Sequence, residues 1–399
     1  MITKSLNFML FFYVFGVFIF SKVEGLSLAT NIALLLLLLI LVIKGFKNRL
    51  VGIENCLIIV PLAMLLFASI LWSEYQVEAT IQFLSFLTAS LGGMAVMLAL
   101  MNGANPKVVF WAAFLGSGYL VYSAWQEKTL FALSRAAGIA GNANELGVTL
   151  IIAGLIMSLH EFSGRFRYWP KFYALFLLVF SIYVTGSRTM LFVLLLSPFV
   201  YLNYIFKKTE QHSSVRQVFV RIIVLALLII LLGHPIWQSF SNTETWKRTL
   251  EAFQGVNRST ETRKVMIFEG ISLWSERPLL GYGINQFRFA SGWRTYSHSN
   301  YTEMLVSGGL MGLLAFYGIY MYLLYKYKKT IGNKEPLIFW GLLLMFLWDV
   351  SVVSYYAKYI WLFIGIISWL VTGTNYQISM RKPVLINRGL ASNANTILR

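Results

Sequence analysis

Along the chain, apolar runs of about eighteen to twenty-three residues alternate with short joints that are charged or rich in turn residues, the length that spans a bilayer core as helix. The pattern predicts helices over 6–21, 26–43, 56–72, 81–101, 107–125, 145–160, 171–187, 189–206, 218–235, 304–325, 337–355 and 359–374. The joint at Thr185–Thr189 is so tight that the two helices flanking it can also be read as one broken span. The first run is read as a retained span and not as a cleaved leader. One stretch breaks the rhythm: His234–His298 is polar and has no spanning run. A loop that long in a compact bundle is usually functional or disordered. Here Ser241-Asn-Thr-Glu244 reads as a capping box, and Ile267, Ile271 and Trp274 form an apolar stripe, so short amphipathic helices are expected. No internal repeat or low-complexity segment stands out.

Composition points the same way. Hydrophobic residues fill 58% of the 399 positions and charged residues 12%, about half the charged share of a soluble domain. So little polar surface cannot cover such a core in water, so the remainder must face lipid. The fold expected is an all-α polytopic membrane protein of about twelve transmembrane helices. Residues 1–233 hold nine of them, 234–298 the large loop, 299–375 three more, and 376–399 a basic tail.

The net charge of +17 raises nucleic acid as a partner. In a chain this apolar it is read instead as orientation and as attraction to an anionic membrane or substrate, with no nucleic acid. With the amino terminus inside, the cytoplasmic joints and tail carry 20 of the 33 Lys and Arg. Eight of the remaining thirteen fall in the long loop, where the positive-inside rule has little force. Both termini are then cytoplasmic and the loop lies outside. The single cysteine, Cys56, excludes an internal disulfide, and the single aspartate, Asp349, excludes a DxD metal motif.

Four ionisable residues fall on the outer side in this topology. Arg188 sits in Thr185-Gly-Ser-Arg-Thr-Met190, Arg263 on a loop helix, and His298 at the end of the loop; Asp349 lies twelve residues into the helix 337–355, about 18 Å deep at the helical rise. Each has a plainer reading. Arg188 and Arg263 suit headgroup contacts, His298 a structural role at a helix entrance, and Asp349 a structural ion pair, although an intramembrane carboxylate is functional by default. Gly308, Gly309 and Gly312 provide small residues that let the following helix pack closely, which sets His298 at the mouth of a tight contact.

These pieces resemble the O-antigen ligase and O-antigen polymerase superfamily. His298-Ser299 followed by Gly309-Leu-Met-Gly312 is similar to its histidine motif ahead of a glycine-bearing helix. Glu276-Arg-Pro-Leu-Leu-Gly-Tyr-Gly283 resembles its Pro-Leu-x-Gly-x-Gly element, Gly186-Ser-Arg-Thr189 its outer arginine, and Arg263 its loop arginine. Gly141-Asn-Ala-Asn-Glu-Leu-Gly147 resembles its Gly-Asn-x-Asn turn, departing from it at Ala143, where a proline is common.

The resemblance implies a glycosyltransferase of the inner membrane acting on its periplasmic face. It would take a glycan from undecaprenyl pyrophosphate without metal or cofactor. His298 would be the base, Arg188 and Arg263 the pyrophosphate clamp, and Asp349, Asn142, Asn144 and Glu303 supporting residues. The expected product is an O-antigen or exopolysaccharide polymer, with ligation onto lipid A-core as the alternative, membrane lipids around the site, and a chain-length regulator among the partners. A transporter or flippase for the same lipid-linked sugar is the reading from a different class. Such proteins commonly show two related halves with midplane sites, and neither is evident here.

Overall fold

The computed structural model describes residues 2–20, 23, 25–131, 133, 135–160, 168–187, 190, 193, 241, 246–247, 250–251, 254, 258–331 and 336–381. Among these, the regular elements are all helices: α1 (Ile2–Phe18), α2 (Ser27–Lys47), α3 (Ile53–Trp72, with a 3-10 turn at each end), α4 (Gln76–Met101), α5 (Pro106–Leu130), α6 (Ala143–Ser158), α7 (Trp169–Thr185), α8 (Arg258–Glu276), α9 (Phe287–Ala290), α10 (Asn300–Thr330), α11 (Pro336–Trp348) and α12 (Lys358–Arg381). Five of them, α2, α3, α4, α5 and α10, are long and apolar enough to cross a membrane. Shorter apolar helices α1, α6, α7, α11 and the segment Lys358–Gly373 of α12 complete the bundle. Ten of the expected spans thus coincide with a helix. All of 189–206 but Met190 and Val193, the whole of 218–235, most of the expected capping box and the tail from 382 lie outside the described residues.

The apolar surplus divides as a lipid solvent requires. Leu35, Phe46, Leu71 and Phe172 project outward, while Leu37, Phe86, Phe110 and Trp361 are fully buried. At the centre α4 crosses α12 so closely that a Cβ on Gly93 would overlap the Trp361 carbonyl, and one on Gly365 would overlap the backbone of Gly93. The neighbouring Gly92 leaves room for the Tyr13 ring of α1. Small residues at such a crossing let two backbones gain dispersion contact where no hydrophobic effect drives helices together.

The joints gather into two ends. At one, the Asn102 amide bonds both the N–H and the carbonyl of Val51, and Asn105 takes its cap from Asn7 at 2.8 Å. At the other, the segment after α8 docks on the α3–α4 joint. The Ile284 N–H reaches Ser69 Oγ at 3.1 Å, the Gln286 amide brackets the Tyr75 backbone, and Phe289 stacks on Tyr75 at 4.0 Å. The loop and the Ser73–Tyr75 joint therefore share an end.

Three sequence expectations are corrected. The docked face of α8 is Met266, Gly270 and Leu273, packed on Val306, Phe287 and Thr302, whereas Ile271 stays exposed. Gly270 decides this, because its missing side chain admits Thr302. Next, Asp349 is not inside a helix: α11 ends at Trp348, and Asp349 opens the turn toward α12 at the same end as the loop. Finally, the glycines of α10 do different work from packing. Gly309 has φ 61° and ψ −158°, which breaks the helix, in a region of backbone space essentially limited to glycine. The break leaves backbone groups without helical partners, and Pro278–Gly283 supplies them. Tyr282 N–H and Gly283 N–H donate to the Val306 and Ser307 carbonyls at 2.7 and 3.0 Å, while Leu310 and Met311 N–H donate to Pro278 and Leu279 at 2.8 and 3.2 Å. Irregular backbone within a bundle persists only when another segment satisfies it in this way. By contrast, Cβ atoms on Gly308 and Gly312 would make only ordinary or slightly tight contacts.

Candidate active site

The segment Tyr296–Asn300, which leads into α10, is held from both sides. Ser299 caps the helix, its hydroxyl accepting the Thr302 N–H at 3.5 Å. One turn in, the buried Glu303 carboxylate reaches back and accepts from both the N–H and the hydroxyl of Ser297, at 3.0 and 2.9 Å. On the other side stands Asn300, wholly buried. Its N–H donates to the Asp349 carbonyl at 2.7 Å, its amide donates to Asp349 Oδ2, and its side-chain oxygen accepts the N–H groups of Ser354 and Tyr355. Tyr317 Oη donates to the same Asp349 oxygen at 3.0 Å. Asp349, 0% exposed, therefore ties the α11–α12 turn to the start of α10. The sequence expectation placed it too deep, but the structure links it to the histidine segment through Asn300.

Between these two anchors lies His298, with φ 59°. A left-handed backbone costs an L-residue about 1–2 kcal/mol, and such strain persists only where its surroundings over-determine it. Ser297 and Ser299 do so here. The imidazole is half-buried and packs against the Tyr296 ring at 4.5 Å, tilted by 60°. Among the described residues no side chain hydrogen-bonds it. Burial first, and then the nearby Arg263 guanidinium, hold its pKa down to about 4, so the ring is neutral at neutral pH with a lone pair to offer.

The Arg263 charge acts on Tyr296 as well as on His298, so the α8 arginine lies within electrostatic range of the histidine. From the third side comes the start of α6. Asn142 is its N-cap, with Oδ1 accepting the N–H groups of Asn144 and Glu145 at 2.9 and 3.4 Å, and its amide nitrogen faces Tyr296 Oη at 3.4 Å. Ala143 is the first helical residue, where a proline would fit equally well, so its departure from the family turn leaves the geometry intact. Asn144 Oδ1 accepts from Arg135, whose Nε also bonds the Thr185 carbonyl at the end of α7. Gly186 and Ser187 follow. Arg188, the next residue in the chain, lies outside the described residues.

The end of the bundle thus brings together His298, Arg263, Asn142, Asn144 and Glu303, with Asp349 behind them. Sequence reasoning missed Arg135, Tyr296, Asn300 and Glu145. Arg135 looks like any loop base, and only the fold carries it to Asn144. Asn300 and Tyr296 flank the histidine motif, which is the signal that could have found them. Among the described residues no three His, Cys, Asp or Glu side chains gather where a metal ion could sit.

No curated protein matches the chain. Residues 173–317 match the family described as O-antigen ligase, whose members are glycosyltransferase-like enzymes. The matched segment runs from α7 to the middle of α10 and includes Arg263, the Pro278–Gly283 element and His298. Over residues 173–317 this apolar membrane protein, whose described regular elements are all helices, is similar to the O-antigen ligase family, which supports the O-antigen ligase and polymerase superfamily as its kin.

Proposed function

We propose that the protein is a membrane glycosyltransferase that moves a glycan from undecaprenyl pyrophosphate to a sugar hydroxyl at the periplasmic face of the inner membrane. The product we assign is an O-antigen or exopolysaccharide polymer. The observation that carries this reading is His298: a strained, neutral imidazole with no hydrogen-bonding side chain among the described residues, beside the Arg263 cation and at the mouth of the broken helix α10. In the step proposed, His298 takes the proton of the acceptor hydroxyl and the oxygen attacks the anomeric carbon. The bond from that carbon to the phosphate oxygen breaks, and its electron pair leaves with undecaprenyl pyrophosphate. Arg263 and Arg188 meet the charge that develops there, since a guanidinium fork suits phosphate oxygens. Asn142, Asn144, Glu303 and Asp349 hold the frame. We assign the reaction to these side chains without metal.

Charge also couples the steps. In the free protein His298 is a weak base, because burial and, after it, Arg263 oppose its protonation. A bound pyrophosphate answers the Arg263 charge and raises the imidazole pKa, so the base strengthens when the donor arrives. The acid limb of kcat/KM should then fall near pH 4, and that of kcat at higher pH.

The family description favours one second reading, ligation onto lipid A-core, and the assay separates the two. Purified protein receives undecaprenyl-pyrophosphoryl glycan with either a second lipid-linked repeat or lipid A-core as acceptor, and products are read by gel. Transfer to the repeat, persisting in excess chelator, supports the polymerase. Transfer only to lipid A-core makes it a ligase. The His298→Ala protein should be slower by at least about a hundredfold, the usual contribution of a positioned base, and Arg263→Lys should lose most activity because the bidentate fork is gone. Near wild-type rates in both variants, or rescue by magnesium after chelation, would sink the scheme. Reporters fused after Ser73 and after His298 should both read periplasmic.

A further inference from the structure

We propose that Tyr296 is the positioning residue of this site: its ring seats the His298 imidazole, and its hydroxyl, tied to Asn142, fixes that ring to the start of α6. This rests on the reading of His298 as the base.

Two independent contacts converge on one side chain. The ring meets the imidazole at 4.5 Å, and the hydroxyl meets an amide 154 residues away in sequence. The amide is not free to turn. Capping α6 commits Asn142 Oδ1 to the N–H groups of Asn144 and Glu145, and an amide whose oxygen faces the helix must direct its NH2 outward. The N-cap therefore does a second job, presenting a donor to the phenol. A histidine in a left-handed backbone whose ring nitrogens bond no side chain among the described residues needs some other group to set its ring, and Tyr296 is the aromatic side chain in contact with it.

Charged and titratable groups surround this pair on every side. Glu145 of α6, Arg263 of α8 and Glu303 of α10 act on Tyr296, which in turn acts on Tyr356 of the α11–α12 turn, while Arg263 is the charge that acts on His298. Burial is the largest cause holding the imidazole neutral, and the Tyr296 ring covers part of it. Removing the ring should therefore let water reach His298 as well as let it swing.

The test separates ring from hydroxyl. Tyr296→Ala should lower kcat by about a hundredfold, the scale of a misplacement near 1 Å, with little change in KM. Its acid limb in kcat/KM should move up from about pH 4 toward 6.5, a shift that a merely structural loss of active protein would not produce. Tyr296→Phe keeps the ring and loses only the hydroxyl. Asn142→Ser keeps the cap and loses only the amide donor. Each should cost about three- to tenfold, the scale of one hydrogen bond, and the double variant should be no worse than either alone. Should Tyr296→Ala fail to fold, these two variants carry the test. Independent losses that multiply, or wild-type rates in both, would overturn the proposal. An NMR titration of 13C-labelled histidines, with His298→Gln as the assignment, reads the imidazole without turnover. If its midpoint rises in Tyr296→Ala while His298→Ala still transfers glycan, Tyr296 seats the ring but His298 is not the base. If the midpoint does not move, the positioning role is wrong whatever the chemistry.

Discussion

Glycine does opposite work at two places in this bundle. Where α4 crosses α12, Gly92, Gly93 and Gly365 keep both helices regular and bring their backbones into contact. Where α10 begins, Gly309 breaks the helix and Gly281 lets Pro278–Gly283 lie against the break. The first site sets two helix backbones against each other beside the Tyr13 ring and serves cohesion. The second has His298 in a left-handed backbone, buried Glu303, and Arg263 at its edge. Regular close packing stabilises a membrane bundle. Irregular backbone, satisfied by a second segment, aims a side chain.

Substitution should separate the two. The largest effect is expected from Gly93→Ala, whose Cβ would overlap the Trp361 carbonyl; folded protein recovered from membranes should fall severely, and whatever folds should transfer glycan at the normal specific rate. Gly309→Ala places a Cβ on a glycine-only backbone and against Leu279, so it should leave much of the protein in the membrane yet lose activity about a hundredfold, the scale of a displaced reacting group. Gly308→Ala is the control and should be near wild type, since its Cβ would lie at ordinary contact, 3.6 Å from Leu65. Equal yields and equal rates for Gly93→Ala and Gly309→Ala would erase the distinction.

Asp349 sharpens the comparison from within the irregular site. Truncation to alanine takes the carboxylate acceptor from Tyr317 Oη and from the Asn300 amide, which keeps only its 3.2 Å bond to Tyr317 Oη. Each buried group left unpaired costs about 1–3 kcal/mol, so Asp349→Ala should melt earlier and lose rate through a loosened Asn300. Asp349→Asn, which keeps an acceptor, should recover most of both. A catalytic carboxylate would instead leave the asparagine variant stable and inactive, and thermal melts read beside transfer rates decide between them.

The smallest effect is expected at Ala143. It is the first residue of α6 and follows Asn142 at φ −135° and ψ 122°, an extended backbone that suits the residue before a proline. Ala143→Pro should raise stability by about 0.4–1 kcal/mol through the unfolded chain with full activity. Destabilisation would mean that the start of α6 is less regular than its cap implies.

What could be read without coordinates follows from how each signal is encoded. Twenty-residue apolar runs name spans because bilayer thickness and helical rise are fixed, and ten of the expected helices lie where the runs are. His298 and Arg263 stood out as candidates through their resemblance to the family's histidine motif and loop arginine. Asp349 was misplaced for a local reason: Trp348-Asp-Val-Ser-Val-Val-Ser-Tyr-Tyr356 has no glycine or proline to mark a turn, so it reads on as helix, and only Asn300, some fifty residues earlier, bends it. The apolar stripe of α8 was displaced because the docked face is chosen by Gly270 and its partner Thr302, not by hydrophobicity alone.

The sequence by itself determined the solvent, the helical class, the polar loop and the residue types able to move a proton and hold an anion, all of which depend on composition and short-range spacing. The tertiary structure decided which of those residues meet. Gly309 had to break α10 so that a segment about thirty residues upstream could complete its hydrogen bonds, and Asn142 had to cap α6 so that its amide would face Tyr296. Such pairings depend on which backbone groups remain unsatisfied after the helices form, and that is known only once the bundle has closed.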